Sequence, residues 1–237
     1  MNRKFTSAEL KSMAKEMLLG RYALLIAVYF VSQLLLTTPL YFVQFQVNME
    51  TTPDLIIYYA VYFILLLLGS LIAVGQNHIY LNISRGLPYQ FSDLWYGFTL
   101  RPDKTIVVFL MLLGLELIPA IPVLATVAIM IVTKIYMLSI LIALFYILFF
   151  VAIILITLNY ALVFFLILDH PDDSVVELLR RSRMLMKGNK GRYFYMILSF
   201  IGLFLLGILT CGIGMLWIVP YTRMTFAGFY RNVIGEI

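Results

Sequence analysis

The chain has 237 residues, 63% hydrophobic, 15% aromatic and only 12% charged, with a mean hydropathy of +0.99. A soluble domain carries about a quarter of its residues as charges, so this chain cannot clothe a globule of its size and reads as an integral membrane protein. The net charge of +5 does not point to nucleic acid, because the basic residues fall at the ends of apolar runs, where the positive-inside rule places them.

In chain order, residues 7–20 follow a capping-box pair, Thr6 and Glu9. Leu10, Met13, Ala14, Met17 and Leu18 then form one apolar helical face opposite Lys11, Lys15 and Glu16. This predicts an amphipathic helix lying either on the anionic inner leaflet or on its own protein. Residues 22–46 form the first span, a retained helix and not a removable signal, because no cleavage signature ends it. Its one strongly polar interior residue, Gln33, is expected to face another helix. Residues 47–54, with Glu50 and Asp54, make a short outer turn, and residues 55–80 return. Gln76, Asn77 and His78 close that span as a solvated helix end.

Arg85, Arg101 and Lys104 mark the next segment as cytoplasmic. Within it, residues 92–100 predict a short interfacial helix, with Ser92 or Asp93 as N-cap and Phe91, Leu94, Trp95 and Phe98 on one face. Residues 105–133 form the third span. Glu116 lies ~17 Å along it from the cytoplasmic end, and Pro119 and Pro122 remove backbone donors and kink it. Lys134 marks an outer turn, and residues 136–168 form a fourth span long enough to tilt.

The stretch from Asp169 to Arg192 holds six of the 17 Lys and Arg residues: Arg180, Arg181, Arg183, Lys187, Lys190 and Arg192. Its acidic start, with His170, resembles a ligand set. The simpler reading is that Pro171 stops one helix and Ser174 with Glu177 starts another over 174–187. Residues 193–209 form the fifth span. Gly212 and Gly214 then favour a tight turn, after which residues 213–230 cross back. Six spans place 16 of 17 basic residues inside, and five place 14 inside, if the helix merely bends. Six is preferred, because one helix from Tyr193 to Tyr221 would be ~43 Å long. The expected fold is therefore all-α: a polytopic transmembrane bundle of six spans, alternatively five, with amphipathic helices on the cytoplasmic side.

The phrases ELKSMAKEMLLG, FSDLWYGF, VVELLRRSRMLMKGNKGRYF running into LSFIG, and TCGIGMLWIVPY with AGFY occur in this order along nearly the whole chain. Together they resemble the uncharacterised bacterial integral membrane protein family called domain of unknown function 975. The resemblance implies a polytopic protein of the cytoplasmic membrane and supplies no reaction or substrate.

No triad, zinc-like spacing or phosphate loop stands in the sequence, so no enzyme, metal or cofactor is expected. The single cysteine, Cys211, excludes an internal disulfide and reads as a small packing residue. Glu116 and Arg223 fall at similar estimated depths, which suggests an intramembrane ion pair beside the proline kink. The expected partners are the bilayer, the anionic inner leaflet and an unidentified protein, with Lys11, Lys15 and the six cations from Arg180 to Arg192 as leaflet contacts. The leading function class is a non-enzymatic membrane component binding the leaflet or a protein through its shell helices around Leu10, Leu94 and Leu178. The alternative is a small permease using Glu116 and the kink at Pro119 and Pro122.

Overall fold

A computed structural model describes residues 3–47 and 51–237; Glu50 of the expected outer turn lies outside them. The described residues are helical, with no strand among them. In order they form α1 (Ser7–Leu18), α2 (Tyr22–Gln46), α3 (Thr52–Arg85), a 3₁₀ turn (Phe91–Trp95) leading into α4 (Tyr96–Thr99), and α5 (Pro102–Leu117). A second 3₁₀ turn (Ile118–Ala120) leads to α6 (Ile121–Thr133), α7 (Leu138–Tyr160), α8 (Val163–Asp169), α9 (Val175–Met186), α10 (Lys190–Leu198), α11 (Ile201–Leu209) and α12 (Met215–Ile234). Five runs are long and apolar enough to cross a bilayer: Tyr22–Gln46, Thr52–Arg85, Pro102–Thr133, Leu138–Asp169 and Lys190–Leu209. The protein is a multi-pass helical membrane protein.

Local chemistry explains the element boundaries. Thr6 Oγ1 accepts from the Glu9 N–H at 3.3 Å, and the Glu9 carboxylate accepts from the Thr6 N–H at 2.7 Å, so both arms of a capping box start α1. Ser174 starts α9 by accepting from the Glu177 N–H at 3.3 Å. The third run breaks into a 3₁₀ turn that contains Pro119. Pro122 sits in the first turn of α6, where its missing N–H interrupts nothing.

The helix reverses between α11 and α12. Cys211 and Gly212 take φ of 52° and 87°, and the Gly212 N–H bonds the Gly207 carbonyl at 3.0 Å. The two legs then pack antiparallel: Phe200 meets Tyr221 and Tyr193 meets Phe229, with ring centroids 5.3 and 5.0 Å apart. Cys211 is thus an exposed left-handed turn residue and not the packing residue its size suggested.

The packed core gathers at one end of the bundle, here called the charged end. The second half of α3, most of α12 from Pro220 to Asn232 and the apolar faces of α1, α8 and α9 are buried there, while the far halves of α2, α3, α6 and α7 expose residues such as Phe45, Tyr59, Val132 and Ile140. Lipid tails are as apolar as these side chains, so such exposure costs nothing in a bilayer.

Two local expectations are corrected. Gln33 is exposed, and the polar helix contact comes from its buried neighbour Ser32, whose hydroxyl accepts from Gln76 Nε2 at 2.7 Å. The 91–99 segment begins on Gln90, whose N–H donates to the Asp93 carboxylate at 2.8 Å, so neither Ser92 nor Asp93 is the N-cap. That segment lies tightly on α3, with Leu94 fully buried.

Candidate functional site

Three groups of polar residues emerge from this packing, all toward the charged end. The first ties the chain ends together. Arg85 at the end of α3 makes a bidentate pair with Asp169 at the end of α8, both contacts 2.7 Å, and also pairs with Glu236. Tyr230 donates to Asp169 at 2.6 Å, and Arg231 pairs with Glu236 at 2.9 Å. Bidentate arginine–carboxylate pairs fix geometry as well as charge, so the ends of α3, α8 and α12 are held level. Asn232 extends the knot: its Oδ1 accepts from the Phe5 N–H and from Arg192, and its Nδ2 donates to the carbonyls of Arg3 and Ile237.

The second group is the cations expected at the inner leaflet, and the structure divides them. Lys11 turns inward, donating to the Ser199 carbonyl at 2.9 Å and lying 4.0 Å from the Phe200 ring centroid. Burial, reinforced by neighbouring Lys15, pulls its ammonium below the usual lysine range. Arg192 donates to Phe5, Asn189 and Asn232. Arg181 pairs with Asp173 at 2.8 Å and lies 3.8 Å from Glu177. These three are internal fastenings. By contrast Arg180, Arg183 and Lys187 are exposed and carry no ion pair among the described residues. Their spacing places them on one stripe of α9 with exposed Val176 and Met184, away from buried Leu178, Leu179, Ser182 and Met186. Lys15 is exposed as well, and Lys190 is half-buried. The apolar faces around Leu10, Leu94 and Leu178 are covered by the protein itself.

The third group surrounds Arg223. Among the described residues Arg223 makes no ion pair, and it does not meet Glu116. The reason is register. Arg85 and Arg231 share Glu236, so Asn77 and Arg223, each eight residues back along α3 and α12, lie ~12 Å inside the charged end. Glu116 is twelve residues from Lys104, which binds the Pro171 and Asp173 carbonyls, and so lies ~18 Å in, on a helix that packs chiefly on α3, α7, α8 and α9. Arg223 instead lines a cavity of about 350 Å³ with Asn77, Tyr193, Thr222 and an apolar wall that includes Phe165, Phe204 and Phe226. The phenols of Tyr80, Tyr29 and Tyr193 lie within electrostatic range of it. A charge enclosed by apolar and aromatic side chains is costly unless it is paired or hydrogen-bonded.

Sequence reasoning found Arg223 and missed its surroundings. Asn77 was visible only as part of a polar helix end, and nothing local linked it to α12. Glu116 is half-buried immediately before the break at Ile118–Ala120.

A charged, well-packed end and a lipid-facing far end define a multi-pass helical membrane protein, and the three polar groups above lie toward the first of these ends. The chain matches the family model described as protein of unknown function (DUF975) over residues 1–236, and it belongs to that family. No curated protein and no solved structure matches it.

Proposed function

We propose that the protein is a non-enzymatic, six-span component of the bacterial cytoplasmic membrane whose charged end faces the cytoplasm and gathers anionic inner-leaflet lipids against α9. The observation that carries this reading is the stripe of three exposed cations, Arg180, Arg183 and Lys187, flanked by Val176 and Met184. Each such cation near an anionic surface is worth about 1 kcal/mol, or about 3 kcal/mol together and roughly a hundredfold local preference. Two observations favour six spans: the reversal after α11, and the ~30 Å length of α12, enough to cross the hydrocarbon. Six spans also leave Lys134 as the one basic residue outside.

The test is to purify the full chain in nanodiscs of mixed zwitterionic and anionic phospholipid and to measure the lipid that co-purifies. The triple variant Arg180→Ala, Arg183→Ala, Lys187→Ala should lose most of the anionic enrichment. Undiminished enrichment would remove the basis for this function. Orientation is read separately by placing Lys187→Cys in a Cys211→Ser background, where labelling from outside intact cells would invert the topology.

The helix break directly after half-buried Glu116 favours a second reading, a small permease using Glu116, Pro119 and Pro122. Flux in liposomes that is abolished by Glu116→Ala would establish it in place of the first.

A further inference from the structure

The cavity around Arg223 offers what the α9 stripe does not: a cation without a counter-ion inside a largely aromatic shell. We propose that it binds the oxyanion headgroup of an anionic amphiphile, with Arg223 as the counter-ion and Asn77 as a hydrogen-bond donor.

Three features select this ligand. The guanidinium presents up to five N–H donors in a planar fork that matches a phosphate or carboxylate, and the Asn77 amide makes no side-chain hydrogen bond among the described residues. Thr222 adds no donor, because its hydroxyl proton already goes to the Ile218 carbonyl at 2.8 Å. The polar groups left over therefore call for an acceptor-rich, negatively charged guest.

The second feature is the wall. Phe165, Phe204, Phe226 and Val219 give no replacement for the hydration shell of a free ion. They do suit the hydrocarbon next to a lipid headgroup. The third is size and place. About 350 Å³ is near the lower end for a small-molecule site, so it holds a headgroup and leaves the chains outside, and its level ~12 Å inside the charged end puts those chains among the lipid tails. The cavity also adjoins the interruption between α7 and α8, since Ala161 lies in that gap and on the cavity wall. This site shares no residue with the α9 stripe and does not depend on which side of the membrane the charged end faces.

The experiment titrates the purified full chain in a neutral detergent with short-chain phosphatidic acid and follows binding calorimetrically. Parallel arms use short-chain phosphatidylcholine and inorganic phosphate. Arg223→Gln should weaken phosphatidic acid binding at least tenfold. Ala161→Phe, which fills the cavity and keeps the guanidinium, should do the same, and it decides the matter if Arg223→Gln does not fold. The α9 triple variant should bind as the wild type does. Unchanged binding in Ala161→Phe overturns the proposal, as does equal binding of the zwitterionic lipid. Equal competition by inorganic phosphate overturns the amphiphile assignment in favour of a free ion. Loss of binding in the α9 variant alone would move the lipid to that stripe, leaving the proposed function standing and this inference refuted.

Discussion

Helix α3 and the 91–99 segment meet backbone to backbone at two glycines, and that contact is quantitatively testable. A methyl group at Gly75 would stand 2.0 Å from the Leu94 carbonyl oxygen, and one at Gly97 would stand 2.0 Å from the Leu71 carbonyl oxygen. The shortfall from an ordinary 3.4 Å contact is about 1.4 Å in each case. Overpacking costs about 1–3 kcal/mol where neighbours adjust, and here the obstacle is backbone, so ~3 kcal/mol is the appropriate end of the range. Alanine recovers about 1 kcal/mol of helix propensity at Gly75, which leaves a net loss of ~2 kcal/mol. Gly114 in α5 has nothing within 4 Å of the added methyl, so Gly114→Ala should gain up to ~1 kcal/mol from the same propensity. For a chain of this size those values correspond to melting points lower by about 4–8 °C for Gly75→Ala and higher by up to about 4 °C for Gly114→Ala. Trp95 lies in the docked segment, so its fluorescence in a Trp217→Phe background reports the contact directly during heating in detergent. If Gly75→Ala melted at or above the parent protein, the backbone contact, and with it the placement of this segment on α3, would be wrong.

Two further predictions concern the charged end. Burial alone would raise the Glu236 carboxyl, but hydrogen bonds from Arg85 and Arg231 outweigh it and hold the group below its ordinary 4.5. A depressed folded value means the stabilisation is complete above the ordinary carboxylate range and is lost as pH falls through the folded value. Thermal stability should therefore fall as pH drops below the ordinary carboxylate value, and Glu236→Gln should flatten that part of the acid limb; an identical pH profile in the variant would show the tail is not docked. Asn232→Ala should cost about 2 kcal/mol, because it leaves the Phe5 N–H and Arg192 without their shared acceptor. Hydrogen exchange across residues 5–18 should rise with it, and unaltered protection there would mean that α1 is held by its apolar face alone.

Much of the local structure is legible in the residues. Thr6 with Glu9 spells the start of α1, Pro119 marks the break after α5, and Gly212 marks a reversal, because capping, a missing N–H and a left-handed φ act over a few residues. The site is less legible. Gln33 reads as the polar contact of α2, yet Ser32 makes it, because one residue turns a helix by ~100° and hydropathy does not say which side has a neighbour. Likewise Lys11, Arg181 and Arg192 look like their exposed counterparts in the sequence, and only the position of Ser199, Asp173 and Asn232 separates them.

The amino-acid order alone determined that this is a helical, multi-pass membrane protein and where its family resemblance lies, since both follow from run length, composition and short-range pattern. Tertiary structure alone decided that the apolar faces of α1 and α9 are filled by the protein itself, that Glu116 and Arg223 sit at different levels, and that Arg223 faces a cavity. The physical reason is that a helix in lipid is apolar on nearly every side, so which side packs and how far each rod slides are set by contacts between distant segments, here the grip of Arg85 on Asp169 and Glu236.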